Sequence, residues 1–349
     1  MKLDARLRPH PAAVAELAQQ LERAGYERAW TAETNHDPFL ALGLAAASTE
    51  RIELGTFIAV AFARNPLTTA HLGWDLQTLS DGRFVLGLGS QVKPHIVGRF
   101  SMPWSHPVAR MEEYVAALHA IWDSWESGGQ LDFRGEFYRH SIRHPMFVPP
   151  PQRHGRPKVH LGAVGTRMAR MVGRVADGLL CNAIGTADYL REVTLPALRE
   201  GLAEAGRLAS AVEVSQLVMV VVAETDEAYE YQSHLTRWRI GNACSTPAYR
   251  PILEHHGWGD VQTELHALFE QGRHEEMADV IDDEMLRTFA AVGTPAEVTD
   301  ILRTRYGDVA DRITLTTAPR IPEAKSDRSV PFPASWAPLV EKLRDASGR

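Results

Sequence analysis

The chain has 349 residues, of which 44% are hydrophobic and 23% are charged, and its formal net charge is −7. This composition supplies a large core and excludes a basic protein that binds nucleic acid. Its only two cysteines, Cys181 and Cys244, exclude a disulfide framework and a cysteine-rich metal site and indicate a reducing compartment. The first residues lack the apolar core of a signal peptide, and no apolar stretch is long enough to span a bilayer. We therefore expect a cytoplasmic protein without membrane contact.

Short apolar segments alternate with helix-like segments along the chain. The first predicted strand covers Lys2 to Leu7, and the helix from Pro11 to Ala24 follows it, with Gly25 as its stop. The next predicted strands are Glu27 to Ala32, Arg51 to Val60, Phe84 to Leu88, Lys158 to Leu161, Gly178 to Asn182, Val212 to Ala223 and Asp311 to Thr317. The predicted helices between them are Phe39 to Ser48, Pro66 to Leu79, Met111 to Trp125, Thr166 to Ala176, Asp188 to Ala205 and Thr294 to Arg305.

Eight strands, each but the last followed by a helix, predict a parallel sheet. At this chain length they favour closure into a (β/α)₈ TIM barrel, which we expect to form a single domain over residues 1–349. After a weakly patterned segment from Pro319 to Pro333, we expect a terminal helix around Trp336 to Leu343.

Two segments do not fit this repeat, and we interpret them as insertions. Residues at about 126–157 predict a hairpin that turns at Arg134-Gly135, followed by an extended proline-rich linker. Residues at about 225–292 predict a helical lid or substrate wall. Trp238, Tyr249 and Trp258 are candidate wall residues, and ordinary packing within the insertion is the alternative.

Polar side chains follow several predicted strands, where a TIM barrel places its active site. Glu33, His36 and Asp37 follow the second strand. A carboxylate beside an imidazole can orient it for proton transfer, so His36 is the candidate catalytic residue with Glu33 or Asp37 as its partner. The alternatives are a helix N-cap for Asp37 and a backbone-bonded turn residue for His36. Ser90, Gln91 and His95 follow two glycines at the end of the fourth strand.

The sequence Gly162-Ala-Val-Gly-Thr166 lies between the fifth strand and a helix start. Free N–H groups at such a position bind anions, so this turn is a candidate phosphate site, and an ordinary βα turn is the alternative. His140 with His144 and His255 with His256 lack a recognisable metal-ligand spacing, and no metal is predicted.

Several motifs occur together in one order along the chain. They are Leu54-Gly-Thr56, Arg64-Asn-Pro66, Leu79-Ser-Asp-Gly-Arg-Phe-Val-Leu-Gly-Leu-Gly89, Leu161-Gly-Ala-Val-Gly165 and Ala176-Asp-Gly178. From Lys2 to about Thr317 the chain resembles the luciferase-like flavin monooxygenase superfamily. More closely, it resembles the branch of oxidoreductases that use the deazaflavin coenzyme F420.

This resemblance implies a (β/α)₈ barrel with the cofactor ring across its mouth. The third strand around Ile58, including Ala59 and Val60, would back the ring, often through a non-prolyl cis peptide. Ser90, Gln91 and His95 would line the ring or the ribityl chain. The phosphate would lie against Gly162, Ala163, Val164, Gly165 and Thr166, and Gly178 with the segment near Thr186 would complete that end.

The chain also departs from the sugar-phosphate dehydrogenases of this branch. Glu33-Thr34 stands in place of their Asp-His pair, and Gln91-Val92 replaces their Gly-Glu, so sugar-phosphate oxidation is disfavoured. We therefore predict hydride transfer between coenzyme F420 and a small organic substrate. The alternatives are a monooxygenase that uses FMN from a separate reductase, and a non-catalytic flavin-binding homologue. The resemblance also implies a homodimer.

Overall fold

The computed structural model describes residues 1–8, 10–317 and 337–345. Its strands are β1 (Lys2–Arg6), β2 (Arg28–Thr31), β3 (Glu53–Thr56), β4 (Ala59–Val60), β5 (Phe84–Gly89), β6 (Phe133–Arg134), β7 (Arg139–His140), β8 (Lys158–Gly162), β9 (Gly178–Cys181), β10 (Glu213–Val222), β11 (Ala290–Gly293) and β12 (Arg312–Thr316). Its α-helices are α1 (Val14–Ala24), α2 (Pro38–Ser48), α3 (Pro66–Leu79), α4 (Pro107–Ser127), α5 (Thr166–Val175), α6 (Ala187–Tyr189), α7 (Leu195–Glu204), α8 (Asp226–Cys244), α9 (Arg250–His255), α10 (Gly259–Glu270), α11 (Met277–Val280), α12 (Asp283–Phe289), α13 (Pro295–Tyr306) and α14 (Ala337–Asp345).

Eight of these strands close into a parallel barrel in the order β1-β2-β3-β5-β8-β9-β10-β12, with β12 paired to β1. The predicted (β/α)₈ fold is therefore confirmed, and each predicted strand coincides with one strand of the barrel. The helices pack their apolar faces on the outside of the barrel, where the main hydrophobic core lies. The predicted C-terminal helix corresponds to α14, while Pro319 to Pro333 lie outside the described residues.

The third predicted strand is broken into β3 and β4. The peptide bond between Phe57 and Ile58 is cis and lies at the break, where the resemblance implies such a bond. Beyond it, β4 pairs with the end of β5, with Ala59 opposite Leu88. The break lies at the carboxyl end of the barrel, which is the end where TIM barrels hold their active sites.

The opposite end of the barrel is filled by charged side chains. Asp4 and Arg312 are fully buried, and Arg312 Nη2 lies 2.6 Å from Asp4 Oδ1. Trp30 donates its indole N–H to the same carboxylate at 3.0 Å. Arg28 Nη1 lies 2.7 Å from Glu213 Oε1. Because these charges are paired at the amino ends of the strands, they close this end, and the carboxyl end remains the place for a ligand.

The two insertions differ in character. In the first, β6 and β7 form the predicted hairpin, and the N–H of Gly135 donates to the carbonyl of Tyr138 at 2.9 Å. The second contains α8 to α12 and the strand β11, which was not predicted. This strand pairs in parallel with the last four residues of β10, from Met219 to Val222. The helices bury their own apolar cluster, which includes Ile240, Leu265, Met277 and Phe289.

The insertion is joined directly to the barrel. Met219 and Val221 lie on β10 beyond its pairing with β9, and both are fully buried against the apolar cluster of the insertion. The segment therefore forms a packed subdomain over one side of the barrel mouth. Among the described helices, none is both long and apolar enough to cross a membrane.

Candidate active site

The backbone around the cis peptide is fixed by Glu33, which follows β2. Its carboxylate accepts a hydrogen bond from the N–H of Val60 at 2.7 Å and from Arg64 Nη1 at 2.6 Å. Its own N–H donates to the carbonyl of Ile58 at 3.1 Å. Hydrogen bonds to a charged carboxylate are stronger than neutral ones, so Glu33 holds both sides of the short β4 segment.

Asp37 performs the N-cap role that the sequence offered as an alternative. Its Oδ1 accepts hydrogen bonds from the N–H groups of Phe39 and Leu40, both at 2.9 Å, at the start of α2. Its Oδ2 lies 3.3 Å from Arg64 Nη2. Arg64 therefore binds both carboxylates that were candidate partners of a histidine.

His36 is partly buried and stands apart from these two carboxylates. In the described part of the chain it forms no hydrogen bond or ion pair, and its ring packs edge-on against His10 with 5.4 Å between the centroids. The expected pairing of His36 with Glu33 or Asp37 is therefore wrong in this structure, because Arg64 binds both carboxylates. The role of His36 in proton transfer stays a prediction.

Ile58 is the residue of the broken strand that reaches the barrel mouth. A Cβ atom added to Gly89 would lie 2.9 Å from the Ile58 side chain, and one added to Gly162 would lie 3.5 Å from it. Ala59 and Val60 are fully buried in this structure, and their contact with a cofactor ring stays a prediction. The glycines that end β5 and β8 thus leave room for Ile58 to form a smooth apolar wall.

The loop after β5 presents the next candidate residues. Ser90 donates its hydroxyl to the carbonyl of Gln91 at 3.1 Å. Gln91 has a left-handed backbone with φ 61°, and its side-chain oxygen accepts from the N–H of Val92 at 3.1 Å. His95 is exposed and begins a π-helical turn that ends at Arg99. These residues lie at the carboxyl end of the barrel, and contact with a ring or ribityl chain stays a prediction.

The turn between β8 and α5 has the geometry of an anion site. Gly165 is the N-cap residue of α5 and carries no capping side chain. In the described structure, no oxygen accepts a hydrogen bond from the N–H groups of Thr166 and Arg167. A Cβ atom at Gly165 would meet nothing within 4 Å, so the approach to these groups is open. Free N–H groups and the positive end of the helix dipole suit a phosphate.

The loop after β9 lies next to this turn, and Asn182 shapes it. Asn182 Oδ1 accepts hydrogen bonds from the N–H groups of Ile184 at 2.8 Å and Gly185 at 3.3 Å. A small pocket lies between the two loops and is lined in part by Val164, Asn182 and Gly185. Thr186 is buried, caps α6 and lies 2.9 Å from His256 Nε2 through its hydroxyl oxygen. That hydroxyl group is therefore already engaged with the insertion.

Gly178 does not belong to this end of the barrel. It is the first residue of β9 and therefore lies toward the amino end of the strand. A Cβ atom at this position would lie 2.4 Å from the buried ring of His160. The prediction that Gly178 completes the phosphate end is therefore wrong. Its lack of a side chain is explained by close packing inside the barrel.

Aromatic residues of the insertion pack against the loop after β9. The hydroxyl group of Tyr249 accepts a hydrogen bond from Asn182 Nδ2 at 3.2 Å. Trp258 stacks on His256 with 5.0 Å between ring centroids and also contacts Phe289. These contacts support the packing alternative for Tyr249 and Trp258. Burial lowers the pKa of His256, with His255 adding to the effect.

Sequence reasoning did not single out Arg6, Arg239 or the role of Arg64. Arg6 ends β1 at the barrel mouth, and Arg239 reaches the end of β12 from α8. The alternation of β1 was the available signal for Arg6, because Asp4 and Arg6 share one face of the strand. Among the described residues, no group of three or more His, Cys, Asp and Glu side chains can hold a metal ion.

Comparison with known proteins agrees with this architecture. A family model described as luciferase-like monooxygenase matches residues 3–312. The chain belongs to the luciferase-like monooxygenase family. An uncharacterised family relative, Rv1360 from Mycobacterium tuberculosis, is 52% identical over 313 residues, covering 90% of this chain and 92% of that protein.

Two other similar proteins are named as reductases. The 5,10-methylenetetrahydromethanopterin reductase of Archaeoglobus fulgidus is 26% identical over 285 residues, covering 79% of this chain and 81% of that protein. The structure of the coenzyme F420-dependent tetrahydromethanopterin reductase of Methanopyrus kandleri superposes with a TM-score of 0.76 at 20% identity. It covers 97% of this chain and 96% of the other. At this identity the superposition establishes a shared fold.

Proposed function

We propose that the protein is an oxidoreductase that moves a hydride between coenzyme F420 and a small organic substrate. The observation that carries this proposal is the open, uncapped N-terminus of α5 beside the Ile58 wall, at the mouth of a luciferase-like barrel. A phosphate-bearing, flat cofactor matches that combination of an anion site and an apolar wall. The similarity to reductases that act on methanopterin compounds supports the reductase branch.

The residues of the site have distinct tasks in this proposal. Gly162 to Thr166 would bind the phosphate, and Ile58, held in place through Glu33, would support one face of the ring. When bound, F420 supplies a ring carbon that gives or accepts a hydride. His36 would donate or accept the proton that accompanies reduction or oxidation of the substrate. The insertion would exclude water from one side of the barrel mouth.

An FMN-dependent monooxygenase fed by a separate reductase is the second candidate. The description of the matching family favours it, and a phosphate at the start of α5 serves FMN equally well. A deazaflavin enzyme turns over without oxygen, whereas a monooxygenase consumes oxygen with reduced FMN. The two candidates therefore differ in a measurable co-substrate.

A fluorescence titration of the purified protein with oxidised F420, reduced F420 and FMN tests the proposal. Tight binding of F420 with little affinity for FMN supports hydride transfer. Preference for FMN, together with oxygen uptake when reduced FMN is supplied, supports the monooxygenase. Binding of neither cofactor would overturn both and leave the uncapped turn as an ordinary βα connection.

We also propose that the chain forms a homodimer through α2 and α3. Leu40 and Leu44 on α2 are 59% and 39% exposed, and Leu67 at the start of α3 is 36% exposed. Exposed apolar side chains on neighbouring helices are typical of protein contacts. Sedimentation analysis of L40E/L44E should then give a monomer, while L208E, at a distant exposed leucine, should leave the dimer intact. A monomeric native chain would refute this proposal.

A further inference from the structure

Two arginines lie on one wall of the barrel mouth. Asp4 points into the barrel, where it pairs with Arg312. Because side chains two residues apart lie on the same face of a strand, Arg6 also lies on the inner face of β1, two residues nearer the mouth. The parallel register pairs Asp4 with Thr314, which places Arg6 beside Thr316. Arg239 reaches the same place from α8, donating to Thr316 Oγ1 at 3.0 Å and to the carbonyl of Thr317 at 2.6 Å.

Both guanidinium groups lack a negative partner among the residues that the structure describes. In the described part of the chain, no carboxylate lies within 4.0 Å of either group, and the Arg6 side chain forms no hydrogen bond. Arg28 and Arg312, the other arginines on the strands of the barrel, each pair with at least one carboxylate. Arg6 therefore differs from the other arginines of the described barrel strands. Arg239 bonds only to neutral oxygen atoms, as the buried Arg110 does.

The surroundings make this lack of a partner costly. Burial lowers the pKa of Arg239 to about 10, and the nearby charge of Arg6 adds to the decrease. Both groups are nonetheless protonated at neutral pH, so two like charges share a partly desolvated wall. An anion bound between them would remove this repulsion, and arginine forms paired hydrogen bonds with carboxylate, phosphate and sulfonate oxygens.

This wall is separate from the candidate phosphate site. The barrel order β1-β2-β3-β5-β8-β9-β10-β12 places β1 and β12 on the side opposite β5 and β8. The uncapped turn follows β8, whereas Arg6 and Arg239 meet at the ends of β1 and β12. A cofactor phosphate at α5 therefore leaves the arginine pair free for a second anion.

We propose that Arg6 and Arg239 bind an oxyanion group of the substrate, such as a carboxylate, phosphate or sulfonate. This inference rests on the proposed function, because it places the substrate on the far side of a cofactor held at α5. The substrate class is then a small organic anion whose reacting carbon lies over the ring. The charged group would fix the orientation of that carbon before hydride transfer.

The first test measures oxyanion binding without turnover. Calorimetric titration of the full chain in chloride buffer would use sulfate, inorganic phosphate and benzoate. We expect R6Q and R239Q each to weaken binding of the preferred oxyanion at least tenfold. R239K should retain part of the affinity. R199Q, at an exposed arginine on α7, should retain all of it. No binding by the native chain, or equal losses in R199Q, would overturn the proposal.

The second test separates substrate from cofactor. F420 and FMN titrations with R6Q and R239Q should give the affinities of the native chain. A tenfold loss of cofactor affinity would assign the pair to the tail of the cofactor and overturn the proposal. If the native chain binds neither cofactor, the proposed function fails, while the oxyanion titration still decides whether the arginine pair is an anion site.

Discussion

The carboxylate of Glu33 and the backbone N–H of Val60 are joined by a hydrogen bond of 2.7 Å. Glu33 thereby connects the end of β2 to the segment that follows the cis peptide, and Arg64 binds the same carboxylate oxygen. Glu33 therefore fixes the backbone behind the candidate ring site and does not pair with a histidine. We therefore expect the loss of the Glu33 carboxylate to reduce cofactor affinity more than the rate of proton transfer.

We expect Glu33→Ala to weaken cofactor binding at least tenfold. It should also lower the free energy of unfolding by about 1.5–3 kcal/mol, because hydrogen bonds to a charged carboxylate are lost. Urea denaturation and a cofactor titration measure the two effects. Glu264→Ala, at an exposed position on α10, is the control. An unchanged cofactor affinity in a destabilised Glu33 variant would show that the bond only supports the fold.

His36→Ala should leave cofactor affinity nearly unchanged and slow turnover by about 10²–10⁴-fold, the usual contribution of a proton-transfer residue. The structure predicts little effect on stability, because His36 has one ring contact and no hydrogen bond among the described residues. Turnover with F420 and the cofactor dissociation constant are measured in parallel. His234→Ala, on the exposed side of α8, should behave as the native chain. A native rate in His36→Ala would remove the residue from the mechanism.

Gly165→Asp should separate helix stability from phosphate binding. Asp is a favourable N-cap residue, and the backbone of Gly165 is already extended, so we expect the variant to be at least as stable as the native chain. Its carboxylate would occupy and repel the phosphate position. The variant should therefore bind FMN and F420 more weakly than the native chain does. Its affinity for riboflavin, which has no phosphate, should be unchanged.

Gly165→Ser is the matched variant, since it caps the same N–H groups without charge. We expect its affinity for F420 to lie between those of the native chain and Gly165→Asp. Equal affinities for F420 in all three proteins would place the phosphate elsewhere. Melting temperatures measured without cofactor would verify that each variant folds.

His160 should make the fold sensitive to acid. Burial, with Arg28 nearby, lowers the pKa of His160 to about 3, and neither ring nitrogen has a hydrogen-bond partner among the described residues. The pKa of His160 in the folded chain lies below its value of about 6.5 in the unfolded chain. Its contribution to the free energy of unfolding is therefore fully present above pH 6.5, where the ring is neutral in both states. This contribution is lost as the pH falls toward 3, at about 1.4 kcal/mol per pH unit.

Urea denaturation of the native chain and of His160→Asn between pH 7.5 and pH 5 measures this slope. Asn cannot titrate, so the native chain should lose stability more steeply than the variant. His234→Asn, at an exposed position, should retain the native slope. Parallel pH profiles for the native chain and His160→Asn would contradict the assignment.

The barrel was predictable because its signals are local and repeated. Each strand is a short apolar run. The dipeptides Asp37-Pro38 and Thr294-Pro295 predict helix starts, and in the structure α2 and α13 begin at these prolines. The position of the candidate anion turn followed from its place between β8 and α5. These features depend on residues that are neighbours in the sequence.

The parts that sequence reasoning missed depend on contacts between distant segments. Arg64 pairs with the carboxylate of Glu33, from which it is separated by 31 residues in the sequence. No residue near Glu33 indicates this ion pair. Gly178 resembles a ligand-binding glycine, yet its neighbour in space is the ring of His160. Arg239 meets the end of β12 across 77 residues, so no spacing rule connects them. The strand β11 is short and lies within a helical region, where periodicity gives little signal.

The ladder between β10 and β11 has a consequence for how this protein distinguishes one substrate from another. Four consecutive backbone pairs tie the returning end of the insertion to the strand from which it departs. A segment clamped at its base and filled with its own apolar cluster resists local opening. We expect the cleft to be preorganised, so that little ordering entropy opposes binding. Discrimination would then depend on whether a molecule fits a shape already present, and bulky analogues would be rejected at encounter.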